Sequence, residues 1–336
     1  MASKTSATLG QKLGRTHQKQ RPLNWGLPTS VQWGLLFFLP LVFCGFWLYT
    51  KLSSLPSGAW EWTIYSGALF AAVALVPINW WLESFKWAEL MPWARMPRRM
   101  REVLYGTAWS MIGPFRLGAG VGRVAAVRTS ERNMAIRAFA TASVAQWWCT
   151  ITAAAFGLLC MHYFLAGSTV LFLSAVSLCL YLGWSPKFWL YLRNKPWMGD
   201  WGKSRKIPVI RRKRALSLSV LRFLVMVSQF ILTLNAFGHL SSWGHDIDRF
   251  YAQGQGAVLT WGMTSLAPMP AFGDLGIREA AALFVIEAPT AADTTAIVGA
   301  TLTLWIINLF IPSVVGLVWH AIACRERKGF LSKLEA

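Results

Sequence analysis

Five windows of this chain run for about 20 residues or more without a single charged side chain. A sixth has one charge, Arg222, near its start. An apolar helix needs about 20 residues to cross a bilayer. Charged residues make up 14 % of the chain and apolar ones 55 %, which leaves little polar surface to cover a soluble core. The sequence therefore predicts an all-α polytopic membrane protein with six transmembrane helices, within 31–50, 62–82, 138–161, 165–186, 215–238 and 294–323.

Two further apolar stretches are broken by glycine and proline. Residues 103–115 cover only about 20 Å of helix, against a hydrocarbon core of about 30 Å, and lead into GPFRLGAGVGR at 113–123. The other stretch, SLAPMPAFGDLGIREAAALF at 265–284, carries three charges just after its break. Broken backbone at membrane depth is tolerated only where protein or a polar cavity supplies hydrogen-bond partners. We therefore expect two re-entrant broken helical hairpins, with two kinked full spans in each place as the alternative.

The elements follow the same order in two parts of the chain, about 31–161 and 165–323. Each part reads span, span, broken hairpin, span, but the two enter the membrane from opposite sides. An inverted repeat with Gly- and Pro-interrupted segments in matching positions indicates a transport site near the interface between the repeats. The sequence therefore predicts an inverted repeat.

The basic residues are distributed unevenly along the chain. It holds 33 Lys and Arg against 14 Asp and Glu, a net charge of +19. If both termini are cytoplasmic, 30 of the 33 basic residues lie inside, as the positive-inside rule requires. This orientation in the cytoplasmic membrane, with attraction to anionic lipid, explains the charge without nucleic acid as a partner. The predicted parts are a cytoplasmic tail 1–30, one transmembrane domain 31–323 with a basic cytoplasmic loop 187–214, and a cytoplasmic tail 324–336.

Catalytic and metal-binding patterns are absent from the sequence. The five cysteines and five histidines are scattered, without the spacing of metal ligands. The Gly-rich segments contain no Ser–His pair, and no repeated aspartates suggest metal-dependent phosphotransfer. We therefore expect a transporter and not an enzyme, with no metal and no cofactor.

Three segments carry a resemblance to a known family. PAFGDLGIREAA at 270–281 is similar to the P-x-x-G-G-x-G-x-R-E signature of the lysylphosphatidylglycerol synthase transmembrane region family, which includes that synthase's flippase domain. Asn79 with Lys86-Trp87 resembles the family's Asn and basic-Trp pair, and GPFRLGAG resembles its first-half Pro-x-Arg-x-Gly element. The likeness covers about 31–322. Two positions depart from the family pattern. Asp274 replaces a glycine in the second-half signature. In the first-half element GPFRLGAG, Ala119 or Gly120 stands where a glutamate is expected, so this element offers no acidic partner for its arginine.

The resemblance implies a flippase-like transporter that moves anionic or aminoacylated phospholipid, or a polyprenyl-phosphate-linked lipid, across the membrane. Arg278 and Arg123 suit binding of an anionic headgroup, because guanidinium makes bidentate contacts with phosphate. The alternative to a substrate-binding role is that Arg278 is a structural partner of Asp274. Phospholipids with anionic headgroups are the expected partners, and a homo-oligomer is compatible with the sequence. The predicted substrate-binding residues are Arg278, Glu279, Asp274, Gly276, Gly273, Arg116, Arg123, Asn79 and Lys86.

Two other functions are compatible with the same pattern. A membrane-embedded enzyme, or a partner subunit of one, could act on lipid or cell-envelope precursors. A small-solute transporter could use the same inverted repeat, although the family resemblance favours lipids.

Overall fold

A computed structural model describes most of the hydrophobic region. The described residues are 46–56, 64–91, 96–111, 117–182, 207–238, 247–267, 273–288 and 290–335, with Val42, Gly58 and Ala271. Most of the predicted first span, residues 187–206 of the predicted basic loop, and Arg116 lie outside them.

Every long regular element in these ranges is helical. Residues 46–53 are the described end of a first helix. The helices that follow are α1 (Ser66–Leu90), α2 (Met96–Ser110), α3 (Gly118–Ala126), α4 (Arg132–Cys160), α5 (Phe164–Leu182), α6 (Val209–Ala236), α7 (Ile247–Leu266), α8 (Asp274–Val285), α9 (Ala291–Trp305) and α10 (Ile311–Glu335). A π-helical turn, Ile306–Phe310, joins α9 to α10.

Five segments of the described chain are long and apolar enough to cross a membrane: Ser66–Leu90, Thr129–Cys160, Phe164–Leu182, Val209–Ala236 and Ala291–Arg325. They overlap five of the six predicted windows, which confirms those windows as candidate spans. The sixth window, 31–50, falls mostly outside the described residues. The broken segments also divide as predicted, into α2 and α3 around the first break and α7 and α8 around the second.

Large apolar side chains cover the outside of the bundle. Leu165 and Phe172 on α5 expose 85 % and 68 % of their surface, and Phe284 on α8 exposes 75 %. Exposure of so many large apolar side chains is unfavourable in water and is expected where lipid surrounds the protein. This surface and the five candidate spans agree with an all-α membrane protein.

The start of the last span and its π turn both have local causes in the sequence. Thr290 and Asp293 form a capping box at the start of α9, in which each side chain accepts from the other residue's backbone N–H. Pro312 has no N–H to donate to the carbonyl of Asn308, and its ring disfavours a regular turn there. The chain forms a π turn instead, closed by the Ile311 N–H donating to the Ile306 carbonyl.

The helix that precedes each break packs against a helix from the other part of the chain. Helix α2 packs against α10, at the end of the chain's second part, and α7 packs against α4, at the end of its first part. Between these pairs, α1 packs along α6, and the Gln229 side chain donates to the carbonyl of Ala72 at 3.1 Å. The first helix of each broken segment therefore packs against a helix from the other part of the chain, while the second helix packs within its own part.

Helix α2 approaches α10 closely at Gly316. A methyl group at this position would lie 2.3 Å from the carbonyl carbon and oxygen of Leu104. Backbone atoms cannot move aside as a flexible side chain can, so only glycine fits this crossing. The ring of Tyr105 stacks on His320 one turn further along, with centroids 3.8 Å apart.

We expect Gly316→Ala to destabilise the protein by about 1–3 kcal/mol, because the added methyl group overpacks this crossing. Gly67→Ala on α1 is the matched control, since its new methyl group would have no neighbour within 4 Å. The control should be neutral or stabilising by up to about 1 kcal/mol. The midpoint of thermal unfolding in detergent measures both, and equal midpoints for the two variants would contradict this packing.

Candidate functional site

A cluster of charged side chains lies inside the helical bundle, centred on Glu83 of α1. Its carboxylate lies 2.7 Å from Lys86 Nζ, 2.8 Å from Arg123 Nη2 and 3.1 Å from Arg222 Nη1. Glu83, Lys86 and Arg123 are buried, and Arg222 is partly buried. We call these four residues the Glu83 cluster.

Amide side chains extend the Glu83 cluster on two sides. The oxygen of Asn79 accepts from Arg222 Nε at 2.7 Å, and its nitrogen donates to the Asn308 oxygen at 2.9 Å. The oxygen of Gln146 accepts from both Lys86 and Arg222, at 3.2 Å each. Helices α1, α3, α4 and α6 and the π turn therefore all contribute polar side chains to the site.

Local structure explains how these side chains converge. Asn79, Glu83 and Lys86 lie four and three residues apart, so they share one face of α1. Arg123 comes from α3, which crosses α2 where Gly106 and Gly122 meet. A methyl group on Gly106 would lie 2.7 Å from Arg123 Cγ, and the Arg123 guanidinium stands 5.1 Å over the Trp87 ring. The close crossing of the two helices therefore places Arg123 beside α1.

The Glu83 cluster carries three positive charges and one negative charge, a surplus of two positive charges. Several buried nitrogens beside it have no hydrogen-bond partner: Arg123 Nε, Gln146 Nε2 and Asn308 Nδ2. All three are donors, and a buried donor without an acceptor is costly. A polyanionic group such as a phosphate would supply both the missing negative charge and the missing acceptors.

The Glu83 cluster is connected to a second ion-paired group at the start of α2. Trp87, whose ring lies under Arg123, donates from Nε1 to the Glu102 carboxylate at 2.8 Å. Glu102 also pairs with Arg99 at 2.7 Å and with Arg98 at 3.0 Å. Charged and aromatic side chains thus continue from the cluster to this end of the bundle.

The charges after the second break form a separate cluster. Arg278 pairs with Asp274 and stands 4.7 Å from the centre of the Trp261 ring. All three side chains are buried, and Nε and Nη1 of Arg278 have no hydrogen-bond partner. We call Asp274, Arg278 and Glu279 the Arg278 cluster. The predicted pairing of Arg278 with Asp274 is confirmed, and the two remaining nitrogens are available to an acceptor.

Gly276, in the second break, has a backbone conformation and a hydrogen bond that the sequence did not suggest. The sequence suggests that Gly273 and Gly276 permit close backbone approach and that the amide near Gly276 is free. A methyl group at Gly276 would have open space within 4 Å, but its φ of 86° strongly favours glycine. Its N–H donates to Glu279 Oε2 at 2.6 Å and is not free. No neighbouring protein atom requires glycine at position 276, whereas its left-handed backbone conformation does.

The two broken segments touch each other. The N–H of Ala271, in the second break, donates to the carbonyl of Ser110, the last residue of α2 before the first break, at 2.9 Å. Trp305 Nε1 donates to the carbonyl of Ala271 at 2.9 Å. The ends that the breaks leave free are thus partly satisfied by each other.

Eight of the nine predicted substrate-binding residues divide between the two clusters. Asn79, Lys86 and Arg123 lie in or beside the Glu83 cluster. Asp274, Arg278, Glu279, Gly276 and Gly273 lie in or beside the Arg278 cluster, and Arg116 lies outside the described residues. The sequence suggested no acidic partner for Arg123, and the structure provides Glu83 from another helix.

Sequence reasoning missed Glu83, Gln146, Arg222 and Asn308 as site residues. The spacing of Glu83 from Asn79 and Lys86 on one helix face was a usable signal. Gln146 and Asn308 had none, because a single amide in an apolar span does not show which way it points. Among the described residues, no three His, Cys, Asp or Glu side chains come together as metal ligands would.

Comparison of the chain with protein-family models, with curated proteins and with solved structures finds no match. The resemblance to the lysylphosphatidylglycerol synthase transmembrane region family therefore stays a hypothesis.

Glu83→Gln should destabilise the protein by about 3–5 kcal/mol, because it leaves three clustered cations without their carboxylate. Glu89→Gln is the control on the same helix, since Glu89 makes only a partly exposed pair with Arg214 at 3.5 Å. The control should cost about 1 kcal/mol or less. The midpoint of thermal unfolding in detergent measures both effects.

The double variant Glu83→Gln/Arg222→Gln distinguishes a charge effect from a packing effect. Glu83→Gln raises the surplus of positive charge in the cluster from two to three. Removing Arg222 as well lowers it to two again, so part of the stability lost in the single variant should return. A double variant less stable than Glu83→Gln alone would show that the surplus charge is not what destabilises the single variant.

Proposed function

We propose that this protein is a flippase-like transporter that moves lipids with anionic, phosphate-bearing headgroups across the cytoplasmic membrane. The observation that carries the proposal is the Glu83 cluster, a buried group with surplus positive charge and unpartnered donors inside a bundle of apolar helices. Ionisable side chains in such surroundings are costly and commonly mark the path of a substrate or ion.

The chemistry of the cluster favours a phosphate ligand. Guanidinium groups of Arg123 and Arg222 can contact two phosphate oxygens at once, and Lys86 adds a compact charge. Amide nitrogens of Gln146 and Asn308 add neutral donors. A lipid phosphate could bring the polar acceptors while its acyl chains stay in the surrounding bilayer.

The packing of the helices supports a transport architecture. Broken helical segments at matching positions, each with its first helix packed against a helix from the other part of the chain, are expected of an inverted repeat. We infer that α2–α3 and α7–α8 are re-entrant hairpins and that, with the first predicted span, the protein has six spans. Helices α2, α3 and α8 have 15, 9 and 12 residues, shorter than the roughly 20 that a span needs. Helix α7 has 20 residues but is not among the five candidate spans.

The Glu83 cluster and the Arg278 cluster would bind the lipid headgroup on opposite sides of its path across the membrane. With both termini cytoplasmic, as the basic tails require, the Glu83 cluster receives the headgroup from the inner leaflet. Arg278 then holds it on the outer side, where Asp274 and Glu279 limit how tightly phosphate binds.

The surplus positive charge favours an anionic headgroup over an aminoacylated one. An added lysyl group places positive charge near Lys86, Arg123 and Arg222, which opposes binding unless the amine points away. A polyprenyl-phosphate-linked lipid meets the same chemical requirement as phosphatidylglycerol. Anionic phospholipid, aminoacylated phospholipid and polyprenyl-phosphate-linked lipid are therefore tested separately in the vesicle experiments below.

Arg222→Gln should slow inversion of fluorescent phosphatidylglycerol in reconstituted vesicles about tenfold or more, because it removes a charge-assisted hydrogen bond worth roughly 1.5 kcal/mol. Arg214→Gln is the matched control on the same helix, since Arg214 is exposed and remote from the cluster. Bleaching of the outer leaflet probe measures inversion, and the control should keep the wild-type rate.

The same vesicles test the other functions. Phosphatidylcholine, an aminoacylated lipid and a polyprenyl phosphate are compared with phosphatidylglycerol, and mass spectrometry checks each lipid for chemical change. Inversion without modification supports the proposal. Equal inversion by both variants and wild type, or a modified lipid product in place of inversion, would overturn it.

Arg278→Ala should abolish inversion of phosphatidylglycerol while the protein still inserts and purifies normally. Arg278→Lys should recover little, because an ammonium group cannot make the bidentate contact of a guanidinium. Inversion rate and size-exclusion profile are measured together. An aggregated Arg278→Ala protein whose surviving fraction is active would make Arg278 a structural partner of Asp274.

A further inference from the structure

A cavity of about 890 Å³ lies at one end of the bundle, between α2, the α3–α4 junction and α10. Its lining includes Arg98 and Arg101 from α2 and Arg128 and Arg132 from the junction, and it includes no acidic side chain. The volume is within the range of about 300–1,000 Å³ typical of ligand sites. The cavity thus combines the size of a ligand site with a strongly basic lining.

The four arginines are not equivalent. Arg98 is neutralised by Glu102 at 3.0 Å and Glu131 at 2.8 Å. Arg101 has a buried Nε without a hydrogen-bond partner. Arg128 and Arg132 are exposed at the rim of the cavity. Positive charge beyond that of Arg98 therefore faces the open volume.

An apolar groove of about 530 Å³ continues directly from the cavity. Ala125 and Arg132 line both. The other groove residues are glycine or apolar and come from the start and outer face of α3 and from α4, including Leu117, Val121 and Phe139. A basic compartment joined to an apolar groove complements a ligand that has an anionic head and an apolar tail.

We propose that the cavity and groove form a docking site for an anionic phospholipid, distinct from the Glu83 cluster. The phosphate contacts Arg101, Arg128 and Arg132, and one acyl chain lies in the groove along α3. Basic pockets between transmembrane helices on the cytoplasmic side are well suited to anionic headgroups, and the positive-inside rule assigns this end to the cytoplasm. Inorganic phosphate alone would leave the groove unfilled, which favours a lipid.

The docking site does not depend on transport. A lipid held here would stabilise the short helix α3 from outside the bundle, whether or not any lipid moves. Helix α3 nonetheless separates the two sites, since Arg123 faces Glu83 while Val121 and Val124 line the groove. Occupancy of the groove would therefore be expected to affect the position of Arg123.

Native mass spectrometry of the full chain in detergent tests the site, with phosphatidylglycerol and phosphatidylcholine as probes. Arg128→Gln/Arg132→Gln should weaken binding of phosphatidylglycerol about tenfold, because two charge-assisted contacts are lost, each weakened by the exposure of the arginine to solvent. Lys213→Gln/Arg214→Gln is the matched control, which removes two exposed cations from α6. The control should bind phosphatidylglycerol as the wild type does, and phosphatidylcholine should bind weakly to all three proteins.

A second pair of measurements tests the groove. Val121→Asn should weaken phosphatidylglycerol binding and leave binding of soluble glycerol phosphate unchanged. Equal losses in the two double variants would show that binding follows net charge alone and would overturn the site. Glycerol phosphate that binds as tightly as the lipid would overturn the lipid assignment. Binding is measured without a membrane, so failure of inversion in vesicles leaves this result unaffected.

Discussion

The rest of the structure depends on neutralising one carboxylate, that of Glu83, in an apolar bundle. A buried charge is stable only with partners, and its partners come from three helices: Lys86 from α1, Arg123 from α3 and Arg222 from α6. Helix α3 has nine residues, too few to be stable alone. Its attachment to Glu83 and its glycine crossing with α2 hold it in place, so the charge cluster also supports the fold of the first broken segment.

In the second broken segment, the groups that need partners are backbone N–H and C=O groups. A broken helix leaves backbone groups without partners, and here side chains and the other break supply them. Glu279 accepts from the N–H of Gly276, and the carbonyl of Ser110 accepts from Ala271. Arg278 has its charge balanced by Asp274 but keeps two nitrogens without an acceptor. The two clusters differ in formal charge, with a surplus of two positive charges around Glu83 and of one negative charge around Arg278, but both contain buried donor nitrogens without an acceptor.

Most of the architecture could be read from local patterns. Apolar windows, four without charge and one with Arg222 as its only charge, located the five candidate spans, because the length needed to cross a bilayer is set by the bilayer and not by neighbouring helices. Glycine and proline located both breaks, because their backbone restrictions act on the residue itself and its neighbours. Arg123 and Arg278 were identifiable as candidates because charged groups are rare in such surroundings, whereas Asn79 and Lys86 were candidates only through the family resemblance.

Which charges meet could not be read from the sequence. Asn79 and Arg222 are 143 positions apart and yet share a hydrogen bond. Such a contact depends on how α1 and α6 are rotated and where they cross, and those are properties of packing over whole helix faces. The amino-acid sequence thus determined where helices run, where they break and which polar residues they carry. The tertiary structure decided that Glu83 is the partner of Arg123 and that the two breaks meet, because each contact joins elements whose relative position no local pattern encodes.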